Sequence, residues 1–211
     1  MMATSRAAFA PRRGAGTAAA TAVLAGALSE QAKTSFETIA TVALARGLAP
    51  EGESAQVVPI DDLPRRMKEK KAVVLSIASD RFRLVVALLC RLDADGKAHF
   101  ARLNRIDPAE WSDQDFEDAV NECGNIIVGS INRDVGRYFP SVGMSTPNVL
   151  DREALAYLEA LGPGHRRVFQ VTGLSLDFFA VLFVSPTGAV DFRAEVEALE
   201  DAVDSGELEM F

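Results

Sequence analysis

The sequence predicts an α+β fold: one domain of two pseudo-repeated halves, each a long helix followed by a β-hairpin, with the helices packed on an antiparallel-rich sheet. Three observations carry this. Two long stretches place apolar residues at helical spacing, Leu28 to Leu44 and Phe116 to Val135. Two runs rich in Val, Leu, Ile and Phe, each broken once by turn residues, follow those stretches. The hairpins fall into step 95 positions apart, Val73 with Val168 and Val86 with Val181, as a weak internal duplication would place them.

In chain order, the first helix has Leu28, Ala32, Phe36, Ile39, Ala40, Ala43 and Leu44 on one face, with Ser29 able to cap its start, Gly47 its end, and Pro50 beyond. Residues 51 to 56 read as a polar loop, and Lys68 to Lys71 as a short solvated basic run. Ala72 to Ile77 and Phe82 to Leu92 form the first hairpin, turning at Ser79-Asp80-Arg81. Asp93-Ala94-Asp95-Gly96 reads as a turn and Ala98 to Leu103 as a third strand. The second long helix opens on Ser112, with Asp115 where a capping box needs an acceptor and Trp111 and Phe116 spaced as a hydrophobic staple. It should run to about Val135, before Gly136 and Pro140. A shorter helix near Asp151 to Leu161, a second hairpin of Arg167 to Leu174 and Asp177 to Ser185, a last strand at Ala189 to Phe192 and a terminal helix at Glu195 to Val203 complete the reading.

Composition bounds the function. The chain has 211 residues, 48% hydrophobic and 25% charged, enough for a core without disulfides or metal. A net charge of −8 argues against nucleic acid or an anionic membrane as partner. No apolar run approaches the roughly 20 residues of a membrane span. Cys90 and Cys123 sit inside apolar patterns and read as small buried hydrophobes of a reduced compartment. His99 and His165 stand alone, which leaves neither a zinc site nor a histidine-based triad. Residues 1–27 are rich in Ala and Arg and contain no acid, so they read as a flexible extension. A basic start, an apolar stretch and Ala25-Gly26-Ala27 also fit an export or targeting signal. The domain is expected over 28–205 with an acidic tail at 206–211, in a cytoplasmic protein.

The second long helix carries the chemical signal. Its apolar set is Phe116, Val120, Cys123 and Ile127, with Ala119 and Ile126 alongside. Opposite these, Asp118, Glu122, Asn125 and Gly129 recur at i, i+4, i+7 and i+11, within roughly 60° of one another. One exposed stripe thus presents two carboxylates, a carboxamide and a bare backbone. Gly124 and Gly129 each cost about 1 kcal/mol against Ala within a helix. Gly124 reads as close packing and Gly129 as room for a partner.

Asp118-x3-Glu122-x2-Asn125, followed after 21 residues by Pro147, resembles the signature of the CheC/CheX/FliY phosphatases of bacterial chemotaxis. Asn121-Glu122-Cys123-Gly124-Asn125-Ile126-Ile127-Val128-Gly129 resembles that family's site helix. Ser145-Thr146-Pro147-Asn148-Val149 resembles its strand entry, the spacer being one residue shorter than usual. The resemblance covers about residues 28 to 192 and is sharp over 118 to 149. It implies hydrolysis of the aspartyl phosphate of a CheY-like receiver domain. Glu122 is then expected to pair with the receiver's active-site Lys, and Asn125 to orient water in line with phosphorus. Asp118, Asn121, Gly129 and Pro147 are assigned to the partner-binding face. It implies no cofactor or metal of the chain's own, with Mg²⁺ held by the receiver. The first helix echoes the motif only as Glu37-x-x-Ala40, and no Asn precedes Asn104, so one active helix is expected, closest to CheX, with a homodimer possible.

Two rivals remain open on sequence. One is a non-catalytic adaptor of the same fold, like the flagellar rotor protein FliM, that binds a receiver or rotor component. The other is an exported protein that merely shares the helix pattern.

Overall fold

A computed structural model describes residues 26 to 195. The N-terminal extension up to residue 25, the acidic tail and all but Glu195 of the expected terminal helix lie outside these residues. Among the described residues the elements are α1 (Glu30–Leu48), β1 (Gln56–Ile60), β2 (Lys71–Ala78), β3 (Phe82–Cys90), α2 (Ala94–Asn104), α3 (Asp113–Gly136), β4 (Gly143–Met144), β5 (Asn148–Asp151), α4 (Leu155–Ala160), β6 (His165–Thr172) and β7 (Phe178–Pro186). No described helix is long and apolar enough to cross a membrane.

The strands form one antiparallel sheet in the order β1-β6-β7-β3-β2, with β4 and β5 both pairing along β2. The two hairpins, β2–β3 and β6–β7, meet at the centre through β3 and β7. Each hairpin's outer strand is covered by a strand from the other half: β1 lies on β6, and β5 on β2. The halves are thus interlocked by a pseudo-twofold arrangement. The register of the repeat differs from the one the sequence suggests. β3 and β7 are nine residues each and begin 96 positions apart, at Phe82 and Phe178, and Val86 pairs directly with its equivalent Leu182. A shift of one residue exchanges the faces of a strand. Under the 95-residue register Val73 and Val86 lie in the core beneath the long helices, while Val168 and Val181 lie on the opposite face.

α1 and α3 pack side by side on one face, over Val73, Leu75, Leu84, Val86, Phe169, Val171 and Leu182. The second face is smaller: Ala72, Leu89, Val168, Phe179, Val181 and Phe183 are covered by Leu155 of α4 and by Leu63 and Met67 of the β1–β2 connection. This explains why β3 and β7 read as nearly continuous apolar runs, since both of their faces are buried. Each large side chain so buried contributes about 1.5–3 kcal/mol.

Several local readings are corrected. Ala98 to Leu103 is not a strand but the body of α2. Asp93, expected in a turn, accepts the Gly96 N–H at 3.0 Å and caps the helix, and Gly96, His99 and Phe100 are buried at helical spacing. His99 disguised that spacing. It is buried because its ring bonds the Leu48 carbonyl at 3.0 Å and Ser175 Oγ at 2.9 Å. Residues 51 to 56 lead into an overlooked edge strand, β1, whose partner β6 is remote in sequence. Ala189 to Phe192 forms only a bridge from Val190 to Leu28. Lys68 and Lys70 are exposed, as the basic run predicts, while Glu69 between them is buried and Lys71 pairs with Asp151 at 2.8 Å.

Gly47 does not cap α1. It lies within the helix at the crossing with α3, where its carbonyl accepts the Cys123 thiol at 3.4 Å. A Cβ there would press into Ile127 Cγ1 of α3. Gly47→Ala is therefore expected to destabilise the protein by about 1–3 kcal/mol through overpacking. A thermal melt checks this, with Tm falling about 2–4 °C per kcal/mol in a chain of this size.

Candidate functional site

α3 is fixed at its start by the devices its sequence announces. Ser112 Oγ accepts the Asp115 N–H at 3.1 Å, and Asp115 Oδ2 accepts the Ser112 N–H at 2.9 Å, a complete capping box. The Trp111 and Phe116 rings stack 6.5 Å apart. Hydrogen bonds from the Ser112 side chain and backbone hold the Asp115 carboxyl below its usual range. The cap therefore persists above the ordinary Asp range and is lost only as pH falls through that lowered value. Ser112→Ala is expected to cost about 1 kcal/mol, read as a lower Tm with unchanged fold by circular dichroism.

The buried face of α3 comprises Phe116, Val120, Cys123, Gly124, Ile127, Val128, Ile131, Asp134 and Val135. Gly124 belongs to this face by necessity, since a Cβ would stand 2.9 Å from Val73 Cγ1 on β2. The Cys123 thiol is pushed up to about 12 by burial, and Cys90 is raised for the same reason. Both are free, buried thiols without nucleophilic character.

Asp118, Glu122, Asn125 and Gly129 come together on the opposite face. Asp118 and Glu122 are exposed, and Asn125 and Gly129 are half-buried. Asn125 Nδ2 donates to Glu122 Oε2 at 3.3 Å, so the carboxylate orients the amide, and among the described residues no hydrogen bond takes up the amide oxygen. One turn earlier Gln114 Nε2 donates to Asp118 Oδ1 at 2.8 Å. At Gly129 a Cβ would meet no atom within 4 Å. Asn121 lies on the flank of the stripe, half-buried, with its Oδ1 turned inward and unpartnered. Pro147 is not on the helix face. It stands half-buried between β4 and β5 on the sheet edge, where Ser145 exchanges two hydrogen bonds with Ser76 of β2, and β4 lies against α3.

Ile126, grouped with the apolar stripe on sequence, is instead 58% exposed and borders the polar stripe. Its angular position, four residues after Glu122, was the signal that could have placed it there.

The pseudo-equivalent helix α1 offers no second site. Ala40 is buried, and Glu37 accepts from Arg167 Nε and bonds His165 Nε2, both at 2.8 Å. Among the described residues, surface hollows also lie away from the stripe. One of about 390 Å³ is lined by Lys68, Lys70, Lys71 and Asp93, and one of about 520 Å³ by Asp80, Arg81, Tyr138 and Asp191. Among the described residues no three His, Cys, Asp or Glu side chains are arranged to hold a metal ion.

No protein-family model matches the sequence, and no curated protein matches it. Solved structures do. The chemotaxis protein CheX from Vibrio vulnificus superposes with a TM-score of 0.54 at 12% identity, covering 71% of this chain and 99% of that one. A CheC-like superfamily protein from Shewanella sp. PV-4 superposes with a TM-score of 0.51 at 9% identity, covering 72% and 96%. The chain has the CheX/CheC-like fold. Identities this low establish the architecture and leave chemistry to the residues. In this CheX-like fold, the interlocked hairpins form the platform on which α3 presents its stripe.

Proposed function

We propose that this chain is a phosphatase that removes the phosphoryl group from the aspartate of a CheY-like receiver domain. The observation that carries this is the pairing of Glu122 and Asn125 on the outer face of a rigidly seated helix, the amide tethered to the acid at 3.3 Å and facing outward. The motif resemblance and the CheX-like fold support the same reading.

The chemistry suits so sparse a site. An acyl phosphate is already activated, and the receiver contributes a lysine and Mg²⁺ around it. The helper needs only to hold a water in line. In the proposed step Asn125 Oδ1 accepts a hydrogen bond from that water. The water oxygen bonds to phosphorus as the acyl P–O bond breaks, the aspartate leaves as carboxylate, and the water's protons pass to the released phosphate and to solvent. A neutral carboxamide does this without placing a negative charge beside the phosphoryl oxygens. Glu122, pairing with the receiver's lysine, fixes the register of docking, and Asp118 adds to the same acidic face.

The test is inorganic phosphate release from a phosphorylated receiver. The wild-type chain at substoichiometric concentration is expected to accelerate it with multiple turnovers. Binding without acceleration would favour the adaptor reading instead.

A further inference from the structure

The stripe carries one side chain that the proposed polar chemistry does not use. Ile126 is the most exposed large apolar residue of α3, at 58%. It directly follows Asn125, stands one turn after Glu122, and lies three residues before Gly129. Gly129 has open space where a side chain would be, so no contact among the described residues calls for glycine there, although glycine is a poor interior helix residue. Arg133, one turn further on, does not cover it. Its guanidinium is drawn to Ser130 Oγ at 3.0 Å and Asp134 Oδ1 at 3.3 Å, leaving the Gly129 backbone bare.

We propose that Ile126 is the apolar anchor of the receiver-docking surface, beside the Gly129 backbone that the motif already assigns to it. Ile126 is the anchor that packs against an apolar patch beside the receiver's phosphorylated carboxylate, and Gly129 is the bare backbone on which the receiver's surface rests. This rests on the phosphatase reading above. The choice of occupant follows from reach. An asparagine side chain is short, so it enters another domain's pocket only if the α3 backbone itself comes against that domain. Gly129, one turn on from Asn125, then lies within about 5–6 Å of it, and Ile126, one turn on from Glu122, lies within the same distance of that acid. An apolar anchor flanked by Glu122 one turn before it and Asn125 beside it has the anatomy of an interface hot spot, one side chain to be desolvated at the edge of polar contacts that set orientation.

The experiment measures Kd for a CheY-type receiver loaded with beryllofluoride, an acyl-phosphate mimic, together with kcat and KM on the phosphorylated receiver. Ile126→Ala is expected to raise both Kd and KM about 10-fold or more, with kcat within about twofold. Ile126→Leu restores both constants, and Gly129→Leu raises Kd without lowering Tm. Wild-type Kd and KM in Ile126→Ala, on a receiver that the wild type dephosphorylates, overturn the inference and leave the phosphatase reading standing. A dimer that Ile126→Asp dissociates with KM unchanged overturns it in favour of self-association. Failure of the phosphatase reading is seen separately, as absent turnover in the wild type.

Discussion

Asn125→Ala is expected to lower kcat for receiver dephosphorylation by about 10²-fold or more, the scale of losing one preorganised hydrogen-bonding group at a reacting centre. KM and Tm are expected to stay near wild-type values. The structure separates these effects. Asn125 lies outside the core, its only described bond is the one to Glu122 at 3.3 Å, and the helix beneath it is held by the capping box and by Gly124 against β2. Removing the amide therefore leaves α3 in place and removes only the group that orients water. Single-turnover phosphate release, with binding measured in parallel, checks the split.

Glu122→Lys is expected to have the second-largest effect, raising KM by at least about 10-fold and steepening as ionic strength falls. The substitution opposes one lysine with another at the point where register is set, and it also removes the acceptor that holds the Asn125 amide. Glu122→Gln separates the two contributions. It keeps an acceptor for Asn125 while losing the charge, so KM should rise less and kcat should hold. Measuring kcat/KM between low and physiological salt for the three proteins checks both points.

The parts of this architecture that were legible in the sequence are those specified locally. α3 announces itself through Ser112, Asp115 and the Trp111–Phe116 pair, and its two faces follow from the helical period. The hairpins are equally plain, since Ser79-Asp80-Arg81 interrupts two strongly apolar runs. What escaped depends on partners distant in the chain. β1 exists because β6 offers an edge, and Pro59 within it argues against a strand unless that edge is known. α2 was hidden because buried His99 is satisfied by Leu48 and Ser175, neither of which is near it in sequence. The 96-residue register needs the face of each strand to be known. Gly47 reads as a helix end until the crossing with Ile127 is seen.

The candidate site divides along the same line. Asp118, Glu122, Asn125 and Gly129 fall together because 3.6 residues per turn brings them together. Pro147 sits on the sheet edge beside the helix, and only the pairing of β4 and β5 with β2 reveals that. The chemistry of Ile126 points inward, whereas its angle places it outward.

The most direct measurement is the structure of this chain bound to a beryllofluoride-loaded receiver. The account predicts that the outer face of α3 closes over the receiver's phosphorylation site, with the Asn125 carboxamide beside the beryllofluoride and Glu122 on the receiver's lysine. A complex in which the receiver docks elsewhere and Asn125 still faces solvent would contradict it.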